Sequence, residues 1–167
     1  MVIAGWAGIG KTTLAKKYKN CIDLESSAYK WVYSDEDKNN SEKLKGDKTR
    51  IPNPDYPTNY INAIIDASKK YDVVCVWSHP THALAYYDQY GIDYVLCYPT
   101  KDANDEYTNR MKSRGNTDEF IKSLNNIYEK RFEEFNNNPH KKIILNPHET
   151  LEDKLLEMGI KLIKRAN

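Results

Sequence analysis

Near its amino end the chain reads Gly5-Trp-Ala-Gly8-Ile-Gly10-Lys11-Thr12, a full match to G-x-x-x-x-G-K-[ST]. Gly8 and Gly10 free the backbone to aim several N–H groups at one anion. A helix that starts at Lys11 adds the positive end of its dipole. Lys11 can then reach the terminal phosphates as a mobile cation, and Thr12 can offer its hydroxyl to Mg²⁺. Gly5, Gly8, Ile9, Gly10, Lys11, Thr12 and Thr13 therefore read as a cradle for a nucleoside triphosphate, ATP in the first instance, with magnesium. The pattern alone leaves the use of the triphosphate open, because hydrolases, switches and kinases share it.

A second chemical segment is Arg110-Met-Lys112-Ser-Arg114-Gly115. The chain has few arginines, and two of them stand four residues apart, on one helical face. Forks of this kind neutralise the charge that spreads over a migrating phosphoryl group, which gives Lys11, Arg110 and Arg114 catalytic roles. Lys101 and Lys112 add to the patch. An ordinary solvated basic helix is the competing reading.

Other candidates flank these two. Asp23-Leu-Glu25-Ser26-Ser27 ends a predicted strand, where open α/β sheets bind ligands. Asp23 can hold magnesium beside Thr12; Glu25, Ser26 and Ser27 can bind the base or sugar of an acceptor. Glu25 can also serve as base toward a neutral hydroxyl. Arg50, with Lys45 and Lys48, can clamp an acceptor phosphate with its planar fork. Tyr29, Trp31 and Tyr33 alternate, as a stacking face or a half-buried strand would. Trp77-Ser78-His79 ends another strand without the aspartate often found there, and His79 reads either as an acceptor contact or as structural.

The elements that must position these groups follow from hydrophobic patterning. Strands are expected over Val2–Ala4, Cys21–Leu24, Val73–Trp77, Tyr94–Tyr98 and Lys142–Leu145, with helices between them. The third and fourth lack alternation, as strands covered on both faces do. The longest helical pattern runs from Phe120 to Phe135. Residues 34–56 carry no period, and the tail after Gly159 is ambiguous between strand and helix. At 167 residues the chain is the size of one domain, 1–167. Forty per cent hydrophobic residues supply a core, although the mean hydropathy is −0.80. The net charge of +1 gives no reason to expect nucleic acid or membrane as partner. No apolar run nears the roughly 18–20 residues of a membrane span. Cys21, Cys75 and Cys97 sit apart in apolar runs and read as reduced, buried thiols, so a cytoplasmic location is expected.

Together the glycine loop, the R-x-x-x-R-G segment, the long helix after it and the last strand ending in Asn146-Pro147-His148 resemble the P-loop nucleoside-monophosphate kinases, the small adenylate- and guanylate-kinase-like proteins of phages and bacteria. The resemblance implies a three-layer α/β sandwich. Its parallel sheet would have five strands in the order 2-3-1-4-5, with helices on both faces. It also implies a lid over about 101–118 and an acceptor-binding insert over about 26–56. Asn146, Pro147 and His148 would border the adenine; a surface turn is the other reading of those three. The implied activity transfers the γ-phosphate of Mg-ATP to a (deoxy)nucleoside monophosphate. A kinase of a nucleoside or other hydroxyl acceptor, with Glu25 as base, and a non-catalytic ATP-binding switch stand as alternatives.

Overall fold

The computed structural model describes residues 1–33 and 50–166. Lys45, Lys48 and most of the irregular stretch 34–56 lie outside them. Five strands build one parallel sheet: β1 (Val2–Gly5), β2 (Cys21–Asp23), β5 (Val73–Trp77), β6 (Tyr94–Pro99) and β7 (Lys142–Leu145). They run side by side as β2-β5-β1-β6-β7. The label order departs from 2-3-1-4-5 because a separate antiparallel ribbon, β3 (Trp31–Val32) with β4 (Ile51–Pro52), intervenes along the chain. Part of the stretch read as featureless is thus a short ribbon. Residues of two strands are too few to show a period.

The central strand β1 pairs on both sides, with Ile3 opposite Cys75 and Val95, and Gly5 opposite Trp77 and Cys97. Val73 through Val76 are all buried. This is why those strands read as continuous apolar runs.

Helices flank the sheet: α1 (Lys11–Lys17), α3 (Thr58–Ser68), α4 (Ala85–Gln89), α5 (Asn104–Ser113), α6 (Asp118–Asn137) and α7 (Leu151–Glu157), with a single turn, α2 (Ser27–Lys30), after β2. α6 starts where the Thr117 hydroxyl accepts from the Phe120 N–H. It buries Ile121, Tyr128 and Phe135, seven residues apart, on one stripe. α7 opens with a capping box between Thr150 and Asp153. Between β5 and α4 a wide π-type turn spans Pro80–Leu84, and the His79 carbonyl accepts from the N–H groups of both Ala83 and Leu84.

Two local expectations are corrected. Tyr29 lies on α2, so the alternation Tyr29-Trp31-Tyr33 is not one strand face; Tyr29 instead packs its ring 5.2 Å from that of Tyr60. The tail after Gly159 forms neither strand nor helix. It lies along residues 15–20 through a single bridge, Tyr18 to Lys164, because the Asn20 side chain takes its backbone bonds at Ile163 and Lys161. Cys21, Cys75 and Cys97 are free and buried. Among the described residues no helix is long and apolar enough to cross a membrane.

Candidate functional site

β1 stops at Gly5 and the chain turns through Gly8 (φ +84°) and Gly10 (φ +101°), both left-handed, before α1 begins at Lys11. Gly10 is the N-cap of α1, so the first N–H groups of that helix face the loop. A Cβ at Gly5 would stand 2.4 Å from the end of the buried Ile9 side chain, so a larger residue there would displace Ile9 under the loop. Lys11 folds over the bend, donating to the Gly5 carbonyl at 2.9 Å and the Trp6 carbonyl at 2.8 Å. Its ammonium is therefore held at the mouth of the loop by weak neutral acceptors that an anion can outcompete. Ile9 is buried, while Thr12 and Thr13 are exposed on the first turn.

Beside the loop the Thr12 hydroxyl donates to Asp23 at 2.7 Å. The two residues paired on sequence grounds as magnesium ligands thus meet, at the end of β2. Both offer hard oxygen, and magnesium usually takes only one or two protein oxygens and completes its shell with phosphates and water. The donor set fits that ion. No cluster of three or more His, Cys, Asp or Glu of metal-binding layout occurs among the described residues.

The segment after β6 closes the other side. Tyr107 of α5 is fully buried, and its ring lies 3.2 Å from where a Cβ on Gly8 would be. The Arg110 guanidinium stacks over that ring at 4.6 Å. Arg110 also pairs with Glu106 and donates to the Glu149 carbonyl at 3.3 Å. Glu106 in turn accepts from the His148 N–H at 2.7 Å. Burial opposes its ionisation, yet the His148 N–H and Arg110 outweigh it and hold the carboxyl below the usual range. Asn146, Pro147 and His148 form the turn after β7, with His148 at φ +69°. The Leu151 N–H just beyond it donates to the Ile9 carbonyl at 3.2 Å. The glycine loop, α5 and the last loop are therefore one bonded unit.

Arg114 is different. It is the C-cap of α5, exposed, and its side chain pairs with nothing among the described residues. The helix ends one residue before it, at Ser113, and Gly115 turns the chain away at φ +77°. Arg110 is tied to the loop through Tyr107, and Arg114, one turn further on, is exposed. Lys101 is likewise engaged elsewhere, with Glu129 at 3.3 Å, and Lys112 is exposed.

On the far side of Asp23 the chain passes Glu25, which accepts from the Ser27 hydroxyl at 3.3 Å, and buried Ser26, the N-cap of α2. Next come stacked cations and rings. Arg50 lies 4.4 Å from the centre of the Trp31 ring, and Lys30 lies 5.4 Å from Trp31 and 5.3 Å from Trp77. Burial, and then the Arg50 charge, lowers the Lys30 ammonium below its ordinary value. Lys30 pairs with no carboxylate among the described residues. His79 packs against Trp77 at 5.1 Å and His82 at 4.7 Å. Burial, followed by the charges of Arg131, His82 and Lys30, pushes His79 down to about 4, so its ring is neutral at pH 7.

Three residues of this region were not singled out from sequence. Lys30 lay between aromatic positions that read as packing. Arg131 reaches the mouth from α6, its side chain only 13% exposed and paired with Glu134 at 2.7 Å. It lines a small void with Trp6, Tyr98 and Pro99. The available signal was its place four residues from both Ile127 and Phe135, a cation on the apolar stripe. Tyr60 ties the strand ends: its hydroxyl donates to the Leu24 carbonyl at 2.9 Å and accepts from the Trp77 N–H at 3.2 Å. No protein-family model matches the chain, and no curated protein matches it at a significant level.

Proposed function

We propose that the chain is a phosphotransferase that moves the γ-phosphoryl group of Mg-ATP to a (deoxy)nucleoside monophosphate. One observation carries the reading: at the carboxyl ends of β1, β2 and β5, the glycine loop with Lys11 and the Thr12–Asp23 pair adjoins half-buried cations, Lys30 and Arg50, on indole faces. A neutral hydroxyl acceptor has no use for such cations. A monophosphate is already an anionic nucleophile, and it needs positive charge to be held near the donor.

In this reading Lys11 leaves the Gly5 and Trp6 carbonyls for the β- and γ-phosphate oxygens. Thr12 and Asp23 hold magnesium, which when bound neutralises those oxygens. Arg110, already tethered to the last loop, offers its guanidinium from the side of α5. Arg50 and Lys30 hold the acceptor phosphate, and neutral His79 presents a hydrogen-bonding edge beside them. Glu25, Ser26 and Ser27 stand where the acceptor's sugar or base would lie, and Asn146, Pro147 and His148 border the adenine. Transfer is in line and forms no covalent enzyme intermediate.

The test is ADP release in a coupled assay across ribo- and deoxyribonucleoside monophosphates, with Lys11→Ala as control. Turnover with at least one of them, abolished in Lys11→Ala, is expected; background rates with all of them remove the proposal. A second reading, a hydroxyl acceptor with Glu25 as base, is favoured by the groove that Glu25 shares with Thr12 and Asp23. It wins if Glu25→Gln abolishes activity while Arg50→Ala is mild.

A further inference from the structure

The total charge of +1 conceals a segregation that the fold creates. Three segments distant in sequence meet around Asn20: residues 16–20, 66–72 and 161–165. The Asn20 amide donates to Asp72 and to the Lys161 carbonyl, both at 2.7 Å, while its oxygen accepts from the Ile163 N–H at 2.8 Å. Backbone bonds from Lys19 N to the Ile163 carbonyl (2.8 Å) and from Arg165 N to the Lys17 carbonyl (3.0 Å) lay the tail against the end of α1. Asn20 is itself buried, so the junction is fixed from inside.

These segments carry eight cations. Lys17 pairs with Glu152 and Lys69 with Asp66. Lys16, Lys19, Lys70, Lys161, Lys164 and Arg165 pair with no carboxylate among the described residues, and all six are exposed. Set against Asp66, Asp72 and Glu152, the eight leave a local excess of +5, so the rest of a chain of net +1 carries −4. Alternating signs are the ordinary pattern on a solvated face, and concentration of one sign is the footprint of a polyanion partner.

The shape next to it narrows the class of partner. A groove of about 530 Å³ follows the open edge of β2, with Lys16, Arg165 and Tyr71 at one end and Thr12, Asp23 and Glu25 at the other. A duplex is read by an element that protrudes into its groove. The groove as a whole is balanced, Asp23 and Glu25 against Lys16 and Arg165, but its end at Lys16, Arg165 and Tyr71 continues the cationic face in a concave, aromatic-walled cleft, which suits a single strand whose phosphates follow the charge while a base lies on the ring. A bilayer surface is flat and matches a cationic plane rather than a channel.

We infer that this face binds a single-stranded nucleic acid, its phosphate backbone running over Lys19, Lys161 and Lys164 toward the groove at Arg165 and Tyr71. The inference does not depend on the phosphotransfer reading: none of the cations named is assigned a role in it, although the groove they lead to ends at Thr12, Asp23 and Glu25.

The experiment is fluorescence anisotropy with an internally labelled 20-mer of mixed sequence carrying a 5′-hydroxyl. Binding should weaken about 50-fold between 50 and 200 mM salt if about four phosphates are neutralised, at a slope of about −0.7 for each. The triple variant Lys19→Gln/Lys161→Gln/Lys164→Gln should bind at least tenfold more weakly at 50 mM salt and flatten the slope by about 2. Circular dichroism and an unchanged melting temperature show that it folds, and Lys11→Ala should bind like the parent. No binding at 50 mM salt, equal binding by the triple variant, or loss of binding in Lys11→Ala overturns the inference. So does retention on vesicles of 30% anionic lipid with none on the oligonucleotide.

Discussion

Replacing Tyr60 by Phe removes one hydroxyl that joins the ends of β2 and β5. That oxygen donates to the Leu24 carbonyl at 2.9 Å and accepts from the Trp77 N–H at 3.2 Å, in a side chain only 1% exposed. The ring fits without it, so no cavity larger than an oxygen is left and the cost is polar. Each lost bond costs about 1 kcal/mol net, and a buried group left without a partner adds about 1–3 kcal/mol. Tyr60→Phe should therefore lose about 3–5 kcal/mol, which for a domain of this length lowers Tm by about 6–20 °C. Urea unfolding should show a lower midpoint at unchanged slope. Tyr56→Phe is the comparison: its hydroxyl makes one bond, to the His82 carbonyl at 2.8 Å, from a half-buried side chain, and its loss should cost about 1 kcal/mol. Leu24 precedes Glu25 and Trp77 precedes His79 by two, so the strut also sets the distance between the two halves of the acceptor region. In the phosphotransfer reading Tyr60→Phe then raises the acceptor KM more than it lowers kcat. A stability loss below about 0.5 kcal/mol, within the scatter of ordinary surface changes, together with an unmoved KM, refutes the reasoning.

Two further outcomes are expected. Arg110→Ala should lower kcat by about a thousandfold, the lower end for a guanidinium on a migrating phosphoryl group, and more than Arg114→Ala does. The reverse ranking in steady-state assays would show that the α5 segment rearranges in turnover. His79 is held down at about 4 from an ordinary 6.5, so the unfolded chain takes up a proton there before the folded one does. The stability this confers is present above about pH 6.5 and is lost as pH falls toward 4, about 1 kcal/mol after solvent screening of a half-buried ring. His79→Asn should flatten that part of the stability–pH curve, and identical curves would refute the assignment.

Much of this molecule could be read from its residues, for reasons that differ between parts. β1, β5 and β6 announced themselves because both faces are covered, and the glycine bend between β1 and α1 because left-handed backbone at Gly8 and Gly10 favours that residue. The Thr12–Asp23 contact followed from strand ends converging at one edge of a sheet. Tyr29 misled because alternation over so few residues cannot separate a strand from a helical turn. Arg110 and Arg114 do stand one turn apart, the Arg114 N–H donating to the Arg110 carbonyl at 3.2 Å, but spacing alone could not tell which of the two leans on Tyr107 beside the loop and which is exposed. The cationic face was invisible to a net charge, since Asn20 assembles it from segments more than 140 residues apart.

The buried thiols have a use beyond packing. Cys75 and Cys97 flank β1 on its two neighbours, and Cys21 lies on the open edge strand; all three are at most 1% exposed. Burial pushes Cys21 up to about 11 and Cys97 up to about 12, and raises Cys75 further still, so none is a thiolate at neutral pH. An alkylating reagent can therefore reach them only when the sheet opens. Cys21 clocks fraying of the rim, and the inner pair clock global opening, so a mass-spectrometric time course resolves the two events without any engineered label.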